Sequence, residues 1–171
     1  DTFHGQADKG EYYVFQIEVW AARKDIDRLH VGFSPLVNSR TGEQVPVSAF
    51  TCFNTEGTDV KGEVFEKDCT VDRDRVQALW IGTQLPEKMS SGTYQGTVTV
   101  SAANAESKTV NVVLEVSENV IANHGDDEPW RHSRLRWLNS RIGFDDEVIA
   151  PYTPLVMKGR MLRMAMRVMG G

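Results

Sequence analysis

The sequence predicts a mainly β protein: an immunoglobulin- or fibronectin-like antiparallel β-sandwich with one C-terminal amphipathic helix. Three observations predict it. Between Tyr12 and about Val116, apolar and polar residues alternate over short runs, as strands with one buried face require. Gly, Pro, Asn and Asp punctuate those runs where turns are needed. After Val116 the alternation gives way to apolar residues at helical spacing.

The first run places Tyr13, Phe15, Ile17 and Val19 on one face and Gln16 and Glu18 on the other. Leu29, Val31 and Phe33 repeat the pattern. Residues 47–53 and 76–81 are apolar on both faces, which predicts central or covered strands but hides their register. Trp20 and Trp80 fall within strand patterns and are expected in the core, given the area an indole removes from water. Tyr94, Gly96, Val98 and Val100 alternate against Gln95, Thr97 and Thr99. Val110, Val112, Leu114 and Val116 do so against Asn111 and Glu115, which predicts a hairpin across residues 102–107. About seven such strands make a two-sheet sandwich. Tyr94 follows Pro86 and Gly92 and resembles a tyrosine corner, the alternative being an ordinary inward aromatic.

Asp126, Asp127, Glu128 and Pro129 supply acidic caps and a first-turn proline. Trp130, Leu135, Leu138 and Ile142 then recur at helical spacing until Gly143, with Arg131, Arg134, Arg136 and Arg141 following the acids as the helix dipole favours. Trp130 and Trp137 share one side of this helix. That side is expected to pack on the sandwich or to dock on a neighbouring domain. Asp145, Asp146, Glu147, Pro151 and Pro154 read as an extended connector. Five of the six methionines lie beyond it and no acid follows Glu147. This tail reads as a basic amphipathic helix or, preferably, as the truncated first strand of a following domain, because Gly159 and Gly170-Gly171 weaken a helix. The expected organisation is a sandwich over 1–120, helix and connector over 121–156, and the tail over 157–171.

A net charge of −5 and a pI near 5.4 argue against nucleic acid as a partner. No apolar run approaches the length that spans a bilayer, and the start on Asp1 suggests a mature exported chain, periplasmic or at the cell surface. Cys52 and Cys69 enclose a polar, Gly-bearing loop, as in a hairpin whose arms a disulfide bridges; two buried free thiols are the alternative. His124 with Asp126 to Glu128 is better spaced for helix capping than for a metal. Asp145, Asp146 and Glu147 suit a solvated linker better than a glycosidase carboxylate pair. His4, His30, His124 and His132 do not space into a triad, and no nucleophile elbow, phosphate loop or zinc helix occurs. No catalytic residue, cofactor or metal is expected.

Several segments are similar to the N-terminal region of proteins related to glycoside hydrolase family 123. They are Ala49-Phe50-Thr51-Cys52-Phe53-Asn54, Val76-Gln77-Ala78-Leu79-Trp80-Ile81-Gly82, Gly92-Thr93-Tyr94-Gln95-Gly96-Thr97-Val98-Thr99-Val100 and the stretch from Glu128 to Leu138, followed by Ile142-Gly143 and Asp145-Asp146-Glu147. The resemblance covers about residues 10–156. It implies an exported protein of the kind found in Bacteroides relatives, with a β-sandwich ahead of a separate catalytic barrel that hydrolyses β-linked N-acetylgalactosamine. The family's catalytic acids match nothing here. The expectation is therefore a non-catalytic accessory domain that positions or stabilises a downstream catalytic domain of the same polypeptide. Trp130, Arg134, Trp137, Asp145, Asp146 and Glu147 would form its docking surface. The alternative is a stand-alone carbohydrate-binding or adhesive module, in which Trp130 and Trp137 contact glycans directly.

Overall fold

The computed structural model describes residues 1–126, 134–139, 148, 152–159 and 161–163. The chain forms two compact units, Asp1–Ser140 and Arg141–Gly171. In chain order the first contains β1 (Thr2–Lys9), β2 (Tyr12–Trp20), β3 (His30–Phe33), β4 (Leu36–Asn38), β5 (Gln44–Val45), β6 (Phe50–Cys52), β7 (Glu56–Thr58), β8 (Val64–Glu66), β9 (Val76–Gln84), β10 (Gly92–Ser101), β11 (Lys108–Val120) and a short helix, α1 (Arg134–Leu138). The second unit contains an antiparallel hairpin, β12 (Val156–Lys158) with β13 (Met161–Arg163).

The first unit is a β-sandwich. One sheet runs β1-β11-β10-β4-β5, with β3 also on β10; the other runs β2-β9-β6. Their inward residues share one core, including Phe15, Leu79 and Ile81 from the smaller sheet and Tyr94, Val98, Val112 and Leu114 from the larger. Two aromatic stacks tie the layers together: Phe3 on Phe15 at 4.7 Å and Phe33 on Phe50 at 5.0 Å between ring centres. The late hairpin has the expected register, with Tyr94 opposite Leu114 and Val98 opposite Val110.

Tyr94 is fully buried, and its hydroxyl lies 2.9 Å from the Ser90 carbonyl and 3.1 Å from the Glu43 carboxylate. A buried phenol bonded to backbone four residues upstream is a tyrosine corner. Beside it, Pro35 separates β3 from β4, since proline brings no N–H to a ladder. Ser34 repairs the break: its hydroxyl accepts from the Thr97 amide at 2.8 Å. Gly96 lies against this break, where a Cβ would stand 2.7 Å from the Pro35 carbonyl oxygen.

Four features depart from the sequence reading. Thr2–Lys9 is a strand, and it pairs parallel with β11, Thr2 opposite Asn111, so the sandwich is not wholly antiparallel. Only Phe3 and Ala7 bring apolar side chains to its inner face, too few to show as a periodic signal. Residues 47–49 form a 3-10 turn behind Pro46, which confines that strand to Phe50–Cys52. The hairpin expected between the cysteines is there as β7–β8, but Cys52 and Cys69 lie outside its arms. Finally, Trp20 and Trp80 stand outside the core, 66% and 40% exposed.

Candidate functional site

The outer face of the smaller sheet is where exposed aromatic and polar groups converge. β2 pairs with β9 so that Trp20 is opposite Val76, Glu18 opposite Ala78, Gln16 opposite Trp80, Val14 opposite Gly82 and Tyr12 opposite Gln84. Tyr13, Phe15, Ile17 and Val19 pack inward, so strand alternation turns this paired set outward.

Chain that follows the sandwich covers one end of that face. Asn123, His124 and Gly125 all adopt positive φ, turning the backbone sharply after β11. His124 Nδ1 lies 2.6 Å from the Gly10 carbonyl oxygen and 2.7 Å from Gln84 Nε2. Arg136 of α1 donates through Nε to Gln84 Oε1 at 3.4 Å and through Nη1 to both oxygens of Asp126 at 2.5 Å. Its guanidinium also lies 5.0 Å from the centre of the Trp137 ring. Asp126 thus serves as the ion partner of α1. The Thr58 hydroxyl donates to the Asn139 carbonyl at 3.3 Å, holding the far end of α1 against β7. Tyr12 lies under this cover, and a Cβ on Gly82 would meet its phenol oxygen at 2.4 Å. Burial pushes the Tyr12 hydroxyl up to about 12, against the opposing pull of Arg136 and with a smaller push from Glu56.

The other end of the face is open and holds Trp80, Gln16, Glu18, Ala78, Trp20 and Val76. Trp20 also borders a cleft of about 260 Å³ at the edge of β2. Its floor includes Ile17, Val19, Leu29 and Val100; Glu18, Glu106 and Lys108 stand on its walls.

Of the residues singled out from sequence, Trp137 is half-buried beside Arg136 on α1. Arg134 is the first residue of α1, and its side chain lies outside what is described. Trp130, Asp145, Asp146 and Glu147 lie outside the described residues, as do the flanks of the helix expected between Trp130 and Ile142. Cys52 and Cys69 are buried free thiols; burial first, and then the neighbouring Cys52, push the Cys69 thiol up. Among the described residues, no group of three His, Cys, Asp or Glu side chains is placed to hold a metal ion, and no helix is long and apolar enough to cross a membrane.

Strand pattern and residue type predict Trp20 and Trp80 in the core, and both are exposed. The signal against it was parity: with Phe15, Ile17 and Val19 inward, Trp20 shares the side of Gln16 and Glu18.

No family model matches the chain. No curated protein matches it either. Among solved structures, it is similar to a family 123 glycoside hydrolase from Clostridium perfringens, described in connection with glycolipid glycan hydrolysis. The TM-score is 0.57 at 18% identity, over 70% of this chain and 23% of that one. A PapD-like domain of human CEP192 (TM-score 0.43, 14% identity, 69% of this chain and 83% of that one) and a Bacteroides ovatus GH5 xyloglucanase (0.36, 15%, 67% and 17%) are more distant. The chain thus shares its fold with a minor part of a much longer glycoside hydrolase.

Proposed function

We propose that the chain is a non-catalytic accessory domain of an exported glycoside hydrolase, related to the N-terminal β-sandwich region of family 123 proteins, which positions or stabilises a separate catalytic domain of the same polypeptide. One observation carries this reading: the structural match takes in 70% of this chain but only 23% of the Clostridium perfringens enzyme. A sandwich that occupies so small a share of a hydrolase supplies a framework, and function lives in sites grafted on folds. The anchoring of α1 also supports it. Asp126 and Gln84 hold Arg136 on the sandwich, while Leu138 remains 56% exposed and available for docking. Trp130, Arg134, Trp137, Asp145, Asp146 and Glu147 are proposed as docking residues.

The isolated chain is expected to show no turnover of chromogenic β-N-acetylgalactosaminides or other aryl glycosides. A polypeptide that continues into a catalytic domain is expected to lose thermal stability on Leu138→Asp, whereas the isolated chain is not. Hydrolysis by the isolated chain that disappears on substituting Asp or Glu residues would overturn the reading.

A further inference from the structure

We infer that the open end of the outer face of the smaller sheet is a binding platform for a neutral oligosaccharide, with Trp20 and Trp80 as its two stacking surfaces. This does not depend on the accessory role, and its failure would leave that role intact.

The geometry comes from the register. Trp80 is opposite Gln16, and Trp20 lies four residues further along the same strand. At about 3.3 Å per residue the two indoles are set about 13 Å apart along one face, the span of about three pyranose rings. Side chains between them are short or polar: Ala78 leaves the floor low, while the Gln16 amide and Glu18 carboxylate rise beside it. Indole faces stack on the apolar C–H faces of sugar rings, and an amide with a carboxylate provides donor and acceptors for ring hydroxyls.

Charge narrows the ligand. Among the described residues Glu18 is the one ionised side chain between the indoles, and Lys108 of the adjoining cleft stands with Glu18 and Glu106, so with the whole chain at −5 the strip disfavours an acidic glycan or phosphate. Its apolar area is divided into two platforms by polar residues, whereas the core of a protein interface is continuous and depleted of charge. The cleft of about 260 Å³ beside Trp20, with Glu18, Glu106 and Lys108 on its walls, gives one end of the strip a concavity where a terminal sugar can seat. At the opposite end, α1 held through Arg136 and Gln84 covers the face at Tyr12, leaving Val14 and Gly82 between the cover and Trp80.

The test is isothermal titration of the full chain with three probes: a neutral β-linked hexasaccharide such as xyloglucan or chitin fragments, the corresponding monosaccharide, and oligogalacturonate as an acidic control. The expected result is saturable binding of at least one neutral oligomer, at least tenfold weaker binding of its monosaccharide, and none of the acidic oligomer. Trp20→Ala and Trp80→Ala should each weaken binding by about five- to tenfold, with the double variant binding undetectably. Both side chains are exposed, so unchanged thermal melting of the variants confirms that folding is intact. Absence of binding at millimolar sugar overturns the proposal. So does binding that survives the double substitution, which would place the glycan elsewhere on the chain. Self-association in analytical ultracentrifugation that the double variant abolishes would also overturn it, by assigning the face to a second copy.

Discussion

Replacing Tyr94 with Phe tests the assignment of the tyrosine corner at the level of one atom. The substitution keeps the ring that packs against the core and deletes the hydroxyl oxygen between the Ser90 carbonyl and the Glu43 carboxylate. A phenol has one proton, so the two acceptors share or alternate a single donor and their contributions do not add. A net hydrogen bond contributes about 1 kcal/mol, and one to a charged acceptor up to about 3 kcal/mol, reduced here because Glu43 is partly solvated. The expected loss is about 1.5 kcal/mol, seen as a fall of about 1 M in the urea midpoint with an unchanged slope. Combining Tyr94→Phe with Glu43→Gln in a double-mutant cycle separates the two acceptors.

Acid titration gives an independent reading of the same group. The Ser90 backbone amide and hydroxyl hold the Glu43 carboxyl below the usual carboxylate value of 4.5. A depressed carboxylate contributes stability above its unfolded value and loses it as the pH falls, so wild type should weaken more steeply below about pH 4.5 than Glu43→Gln. A Tyr94→Phe protein within 0.5 kcal/mol of wild type, with an identical acid profile for Glu43→Gln, would refute the assignment.

Gly96→Ala is expected to cost about 2 kcal/mol, because its Cβ meets backbone at the Pro35 carbonyl, whereas Gly32→Ala, with nothing nearer than 3.9 Å, should melt within a few degrees of wild type. Because burial pushes Tyr12 up to about 12, the unfolded phenol ionises first; stability should fall as the pH rises from 10 to 12, and Tyr12→Phe should flatten that part of an alkaline unfolding profile. Cys52 and Cys69 should resist alkylation in the native protein and take up two labels after unfolding without reductant; a mass spectrum of the unfolded chain without labels would show the disulfide that their spacing leaves open.

The strands that proved legible are those with one wet and one dry face. Tyr94 to Val100 and Val110 to Val116 alternate because hydrophobic burial acts on every second residue, and their pairing follows from a short turn. β1 is illegible because its pairing is with a partner roughly a hundred residues further along the chain, a relation no local period encodes. The Trp residues failed for a different reason. Burial propensity assigned them to the core by type, while register assigned Trp20 to the surface by position, and position won. At the covered end of the face, sequence alone makes Arg136 a dipole partner and Asp126 a cap, since it does not show that the chain doubles back to bring them together over Gln84.

The parallel pairing of β1 with β11 has a consequence for how the protein is made. Thr2 leaves the ribosome roughly a hundred residues before Asn111, the residue opposite which it must settle. At synthesis rates of about 5–20 residues per second, the first strand waits several seconds with its backbone groups open and Phe3 without the full core around it. It joins the larger sheet, as the strand at its end, only when β11 has emerged. During that interval the nascent chain presents an unpaired strand to any neighbour on the same polysome, and the hairpin from Tyr94 to Val116 is the template that covers one of its two sides.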